Sequence, residues 1–280
     1  MLVLCGVAAA GSEMSFYAPK KLVEAPFSIG GLFGGEEVEL LEQNYEVSHV
    51  SFGPEMPTLQ IRQFAWHEAN ANRVWPGTFL LGSYLTTSDP QLLGRLQDKD
   101  TRCLELGAAT GALSIYLSSP PYNFVIHTCD IQDDGTVEAN IIHNFGLNSM
   151  QARQHISHTW GTPWAQSCAN AETSGVSAGT SFALVPGAIF NYVLASDILL
   201  YVSAYPSLVE TLLQIFEANP GIIFIMSWNR RMDASKQFFS LMEQAGFACL
   251  QNGCVFTFTL SVPSAALTFT TAPSQLEEQN

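Results

Sequence analysis

The sequence predicts an α/β protein, a mostly parallel sheet with helices on both faces and a reversed strand near its C-terminus. Three observations carry this. Short apolar runs of strand length alternate with runs that are apolar at helical spacing between Arg102 and Ala245. Arg102–Leu117, RCLELGAATGALSIYL, reads as strand, glycine-containing turn and helix in immediate succession. Asn252-Gly253 lies between the last two apolar runs and is the strongest short hairpin signal available.

Taken in order, residues 1–45 carry little organisation. Ser28–Gly35 is glycine-rich and reads as loop, and Glu36–Glu46 suits a short helix or the entry to a strand. Ser48–Phe52 and Thr58–Phe64 alternate about Gly53-Pro54, which predicts a β-hairpin ahead of the core. Pro76 suits the first turn of a helix whose apolar positions are Phe79, Leu80, Leu81, Tyr84 and Leu85. Trp75, just before it, fits either a core aromatic or a pocket wall.

Cys103–Leu106 is the first core strand, Gly107–Gly111 its turn and Ala112–Leu117 the following helix. Only a residue without Cβ lets backbone turn sharply and approach a ligand closely, and the turn offers N–H groups and a helix N-terminus. Alone, such a turn fits an ordinary strand-to-helix corner equally well. Phe124–Asp130 is a second strand, ending in a carboxylate 25 residues after Glu105. Nucleotide-binding βαβ units place an acid at similar spacing, where it accepts ribose hydroxyls. A nucleoside ligand follows as the expectation.

Thr136–Phe145 reads as the crossing helix, with Asn140 and Asn144 one turn apart on one face. Gln154–Thr159 is a short third strand running into Trp160-Gly161. Residues 165–185 are rich in Ala, Ser, Gly and Thr and read as a surface insertion with little fixed structure. Phe190–Leu200 is the strongest strand signal, with Ser196-Asp197 near its end. Leu208–Ala218 is an amphipathic helix stopped by Asn219-Pro220-Gly221. Ile222–Ser227 is the fifth strand, Ala234–Ala245 a helix with Gly246 as its C-cap, and Phe247–Leu250 and Val255–Leu260 the closing hairpin. The tail beyond it is polar.

With 280 residues and 47% hydrophobic content the chain can bury a sizeable core. It carries 11 Lys and Arg against 25 Asp and Glu, a net charge of −14. That argues against nucleic acid, whose phosphates need clustered cations, and suits a basic protein partner. Six cysteines without a CxxC pair, two of them in core strands, suit a reducing compartment. The histidines lack zinc spacing, so no metal is expected. No apolar run reaches the roughly 18 residues of a membrane span. Met1–Ala10 has signal-like apolarity but no positive segment ahead of it, so export is not expected.

Glu105, Gly107, Asp130, Trp160 and Asp197 all fall at predicted strand ends, where ligands bind on such sheets. Asp197 closes an apolar run and needs a partner or a ligand; it either caps the turn beginning at Ile198 or faces a substrate. Trp160 either stacks on a base or belongs to the core.

Together these segments resemble the seven-β-strand S-adenosylmethionine-dependent methyltransferases, and within them methyltransferase family 16, the methyltransferase-like protein-lysine methyltransferases. The matching segments are VWPGTFLLGSYL at 74–85, LELGAATGALSI at 104–115, the strand ending in Asp130, NIIHN at 140–144, TWG at 159–161 and FNYVLASDILLY at 190–201. The resemblance covers roughly residues 45–260. It implies a Rossmann-like, seven-stranded sheet with an N-terminal hairpin extension, forming a methyltransferase domain over 46–262. The segment 1–45 precedes that domain, the 165–185 insertion interrupts it and the tail 263–280 follows it.

It further implies S-adenosyl-L-methionine as the cofactor. Gly107 and Gly111 would lie against its methionine part with Glu105 near the amino group. Asp130 would hold the ribose hydroxyls, Trp160 would cover the adenine, Trp75 would line the pocket near the reacting end, and Ser196 would be a further cofactor-binding residue. Asp197 would be the acid of the family's D-x-x-Y/F motif, close to the substrate amine, and Tyr201 the second catalytic candidate through its hydroxyl. Two positions depart from the pattern. Ala109 replaces the family's middle glycine, and the motif's aromatic falls one place late, at Tyr201 instead of Leu200. In a helical turn one place is about 100° of rotation, which would point Tyr201 elsewhere.

The resemblance implies transfer to a lysine of an intracellular protein, cytoplasmic and also nuclear, by a monomer that engages neither nucleic acid nor membrane. The alternatives are a small-molecule methyltransferase, a nicotinamide-dependent oxidoreductase, which would carry GxGxxG where this chain has GAATG, and a non-catalytic interaction module with the same fold.

Overall fold

The computed structural model describes residues 45–53, 56–67, 69–173, 190–229 and 233–260. The expectations for residues 1–44, Pro54, 174–185, Arg230, Arg231 and the tail lie outside the described residues. All described residues belong to one compact unit, Gln43–Asn280.

The chain enters through an antiparallel hairpin, β1 (Tyr45–Val50) and β2 (Leu59–Phe64), in which Tyr45 pairs with Phe64 and Val50 with Leu59. Two helices follow, α1 (Pro76–Thr87) and α2 (Pro90–Leu96). The second is absent from the sequence reading because it is short, yet its start is ordinary chemistry. Pro90 occupies the first turn and the Asp89 carboxylate accepts the N–H of Gln91 at 2.8 Å.

The core then alternates strand and helix: β3 (Arg102–Leu106), α3 (Ala112–Ser118), β4 (Val125–Asp130), α4 (Thr136–Leu147), β5 (Ile156–Ser157), α5 (Trp164–Thr173), β6 (Tyr192–Ser196), α6 (Tyr205–Ala218), β7 (Ile223–Ser227), α7 (Lys236–Gln244), β8 (Phe247–Asn252) and β9 (Val255–Leu260). The sheet has seven strands in the order β5-β4-β3-β6-β7-β9-β8. Of these, β9 runs antiparallel to both its neighbours, so it is the reversed strand and lies one place in from the edge. This is the expected α/β class.

Strand parity sorts the core onto two faces. Leu104 and Leu106 of β3, Val193 and Ala195 of β6, and Phe224 and Met226 of β7 pack with α6 and α7. Cys103, Tyr192, Leu194 and Ile225 face the other way, with α1, α3 and α4. The β6 strand is shorter than the apolar run Phe190–Leu200, because Asp197 takes a left-handed backbone (φ 52°) that ends extended pairing.

The reading of 165–185 as an insertion with little fixed structure is corrected over its first half. Residues 164–173 are helix, anchored by buried Trp164, whose N–H donates to the Gln214 side chain at 2.6 Å, and by buried Ala171. Small polar composition hides a helix whose stability comes from tertiary packing. Among the described residues no helix is long and apolar enough to cross a membrane.

Candidate active site

Strand order reverses beside β3, whose neighbours β4 and β6 leave in opposite directions along the sheet. At that switch point the carboxyl ends of β3, β4, β5 and β6 surround a cavity of about 280 Å³. Seven of the nine residues singled out from sequence line it: Trp75, Gly107, Asp130, Trp160, Ser196, Asp197 and Tyr201.

Gly107 follows β3 with φ +74°, and a Cβ there would lie 2.8 Å from Ile198 Cγ2, so both conformation and space demand glycine. Ala109, two places on, also has a left-handed backbone (φ 49°) and lines the cavity. Its N–H donates to Asp130 Oδ2 at 2.6 Å, and Ile131 N–H donates to Oδ1 at 2.7 Å. Burial pushes the Asp130 carboxyl above its usual range, against the pull of these two N–H groups.

The expectation that the turn offers its amides to a ligand is corrected. The N–H groups of Gly107 and Ala108 both donate to Cys129 O, at 2.8 and 3.0 Å, that of Ala109 to Asp130, and that of Gly111 to Ala108 O at 2.7 Å. The turn is stitched to β4 and to itself, so these four amides are already committed and do not form an anion cradle.

Glu105 and Gly111 do not line the cavity. Parity places Glu105 on the α3 face of β3, 3% exposed, where its Oε2 accepts both the N–H of Ser114 at 3.1 Å and the Ser114 hydroxyl. Burial raises its pKa to about 8, outweighing those bonds, so the group is mostly protonated at neutral pH. Gly111, with φ +74°, caps α3 and lies against Ile141. Glu105 thus ties β3 to α3, and Gly111 packs the start of α3 against α4.

Asp197 does cap a helix, and the helix is α1. Its Oδ2 accepts the N–H of Gly77 at 2.6 Å, at the N-terminus of α1. Ser227 Oγ donates to Gly77 O at 2.7 Å, Asp197 N–H to Ser227 O at 3.2 Å, and Thr78 Oγ1 bonds Ser196 Oγ at 3.2 Å. The start of α1 is thus locked to the ends of β6 and β7, with the positive end of a 12-residue helix at the carboxylate. Residues 198–201 are not helical, so the rotation argument against Tyr201 does not apply; both Leu200 and Tyr201 line the cavity.

Sequence reasoning missed the cavity's roof. Ala69, Asn70 and Ala71, between β2 and α1, line it. Asn70 donates through its side chain to the Tyr201 hydroxyl and accepts the Trp75 indole N–H on its carbonyl at 3.0 Å. Arg73 lies 4.4 Å over the Trp75 ring. His158 also lines the cavity, held by Ser167 and Thr211 at 2.9 and 3.1 Å; burial lowers its pKa to about 4, so it is neutral. Among the described residues no Lys or Arg lines the cavity, which carries two carboxylates and two indoles. Among the described residues no group of three or more His, Cys, Asp or Glu could hold a metal ion.

A family model described as lysine methyltransferase matches residues 180–245. The protein-lysine N-methyltransferase EFM3 of Chaetomium thermophilum is 26% identical over 179 residues, 63% of this chain and 48% of that protein. The match thus spans about half the length of this curated relative. The chain is also similar to the METTL16 methyltransferase domain, with 10% identity, 67% of this chain and 70% of that one covered and a TM-score of 0.42. For the ribosomal protein L11 methylase of Lactobacillus delbrueckii the figures are 14%, 59%, 72% and 0.35.

Proposed function

We propose that the chain is an S-adenosylmethionine-dependent methyltransferase that modifies a lysine side chain of a protein. The observation that carries this is the chemistry of the cavity. It sits at the switch point of the sheet with two carboxylates, two indoles and, among the described residues, no Lys or Arg, and four amides of its glycine turn are already bonded. A dinucleotide would bring a pyrophosphate that needs free N–H groups or cations. A nucleoside with a sulfonium centre brings a positive charge instead, and the cavity suits it.

Asp130 is placed to hold the ribose, since each carboxylate oxygen that takes one backbone N–H retains a lone pair for a hydroxyl. Trp160 offers an indole face to the base. Gly107 lets the backbone approach the ligand. Asp197 and Tyr201 stand on the wall toward Trp75, where they can orient an incoming amine. S-adenosylmethionine supplies an electrophilic methyl group whose transfer leaves a neutral thioether, so the protein need not donate a proton. What the chain must do is align the neutral amine and exclude water, and it is closed on one side by the 69–75 roof. Lysine as the acceptor is supported by the family model and by the EFM3 relative, and an amine suits an acidic wall.

The test is incubation of purified protein with methyl-labelled S-adenosylmethionine and cell extract, followed by mass spectrometry. Label on a protein lysine is the expected result. Label confined to small molecules would refute the lysine acceptor and keep the transferase. No label from a protein that fails to bind the cofactor would refute both.

A further inference from the structure

One stripe of α4 and its C-cap carries asparagine at every fourth residue: Asn140, Asn144 and, at the cap, Asn148. Asn148 accepts the N–H of Gln60 at 3.0 Å on Oδ1 and donates to Gln60 O at 2.8 Å from Nδ2. Asn144 treats Arg62 the same way, at 2.7 and 3.1 Å. Asn140 accepts Arg62 Nε at 2.7 Å and donates to Arg62 O at 3.3 Å. Four helical residues rise about 6 Å and two strand residues about 6.7 Å, so the repeats are commensurate. The helix side chains therefore satisfy the edge of β2 that β1 leaves unpaired, as a neighbouring strand would.

Asn144 does one thing more. Fully buried, it also donates to Thr110 O at 2.9 Å, in the turn whose neighbouring residue Ala109 lines the cavity. β2 in turn leads directly into the roof residues Ala69, Asn70 and Ala71. One side chain thus joins the floor of the cavity to the strand that carries its roof. We propose that Asn144 is a positioning residue for the nucleoside site, coupling the glycine turn to the hairpin so that ligand at the turn and docking of the roof favour each other. This rests on the S-adenosylmethionine reading, and the probe is S-adenosylhomocysteine.

The first measurement uses the unmodified chain. Hydrogen exchange at the Gln60 and Arg62 amides, neither of which lines the cavity, should slow on binding by more than that of β8, at the far edge of the sheet. The second compares two variants by calorimetry. Asn144→Ala leaves Thr110 O and Arg62 without their partner, and its affinity should fall about tenfold or more. Asn148→Ala loosens the same hairpin but touches no part of the turn, and its affinity should fall less than about threefold. Exchange in β2 that follows β8, or equal affinity loss in the two variants, would overturn the coupling. A wild-type chain that does not bind S-adenosylhomocysteine would overturn the cofactor reading and this inference with it. Should Asn144→Ala not fold, the exchange experiment decides.

Discussion

Gly77→Ala should destabilise the protein and Gly94→Ala should stabilise it, although both replace a helical glycine with the better helix former. At Gly77 a Cβ would lie 2.8 Å from Asp197 Cγ and Oδ2 and 2.9 Å from Ser227 Oγ. Asp197 cannot retreat freely, because its own N–H is tied to Ser227 O. To make room, Oδ2 must give up its 2.6 Å bond from Gly77 N–H, and Ser227 its bond to Gly77 O. A hydrogen bond to a charged group contributes about 1.5–3 kcal/mol and a neutral one about 1 kcal/mol. Helix propensity returns about 1 kcal/mol at most. The net loss should be about 1.5–3 kcal/mol, with weaker S-adenosylhomocysteine binding because the displaced carboxylate lines the cavity. Gly94 in α2 is exposed and a Cβ there meets nothing within 4 Å, so Ala should gain about 0.5–1 kcal/mol. Urea midpoints at unchanged slope measure both. A Gly77→Ala protein as stable as wild type would refute the interlock between α1 and Asp197.

Ala109→Gly should raise stability by up to about 1 kcal/mol, read as a higher urea midpoint, since Ala109 sits at φ 49° in a region that L side chains disfavour; a lower midpoint would show that the turn tolerates the alanine without cost. Between pH 4.5, the ordinary value for Glu105, and about 8, its value in the fold, the native state holds a proton the unfolded chain releases. Stability should therefore fall as pH rises through that window, and Glu105→Gln should flatten the fall in pH-dependent melts. Trp160→Ala should weaken S-adenosylhomocysteine binding by about 1–3 kcal/mol in calorimetry if its indole stacks on the base. An unchanged affinity with a large drop in melting temperature would make Trp160 a core residue.

Much of the fold is legible because its signals are local. Strand-length runs at Val193–Ala195 and Phe224–Met226 are apolar on both faces, as strands covered by helices must be, and Cys103–Leu106 departs from this only at Glu105. The hairpin at Asn252-Gly253 and the helix start at Pro76 follow from backbone preference alone. The site is legible only in part, because strand ends can be located but side-chain partners cannot. Glu105 and Asp130 look alike in sequence and share one face of the sheet, yet Glu105 pairs with Thr128, two residues short of Asp130, and meets Ser114, while Asp130 reaches the cavity at the end of β4. The turn's amides look available until Cys129 O and the Asp130 carboxylate are placed beside them. The roof at Asn70 has no periodic signal, since its position depends on Tyr201, 131 residues away. Asn140 and Asn144 were visible as one helical face, but their partner strand lies about 80 residues upstream, beyond any local pattern.

The central claim is that this cavity takes a sulfonium nucleoside and not a dinucleotide. Calorimetric titration with S-adenosylmethionine, S-adenosylhomocysteine and NAD, paired with melting curves, tests it directly. Both adenosyl compounds should bind, and at a hundredfold excess over Kd each should stabilise the fold by about 2.7 kcal/mol, while NAD leaves the melting temperature unchanged. Saturable NAD binding with no response to either adenosyl compound would contradict the account.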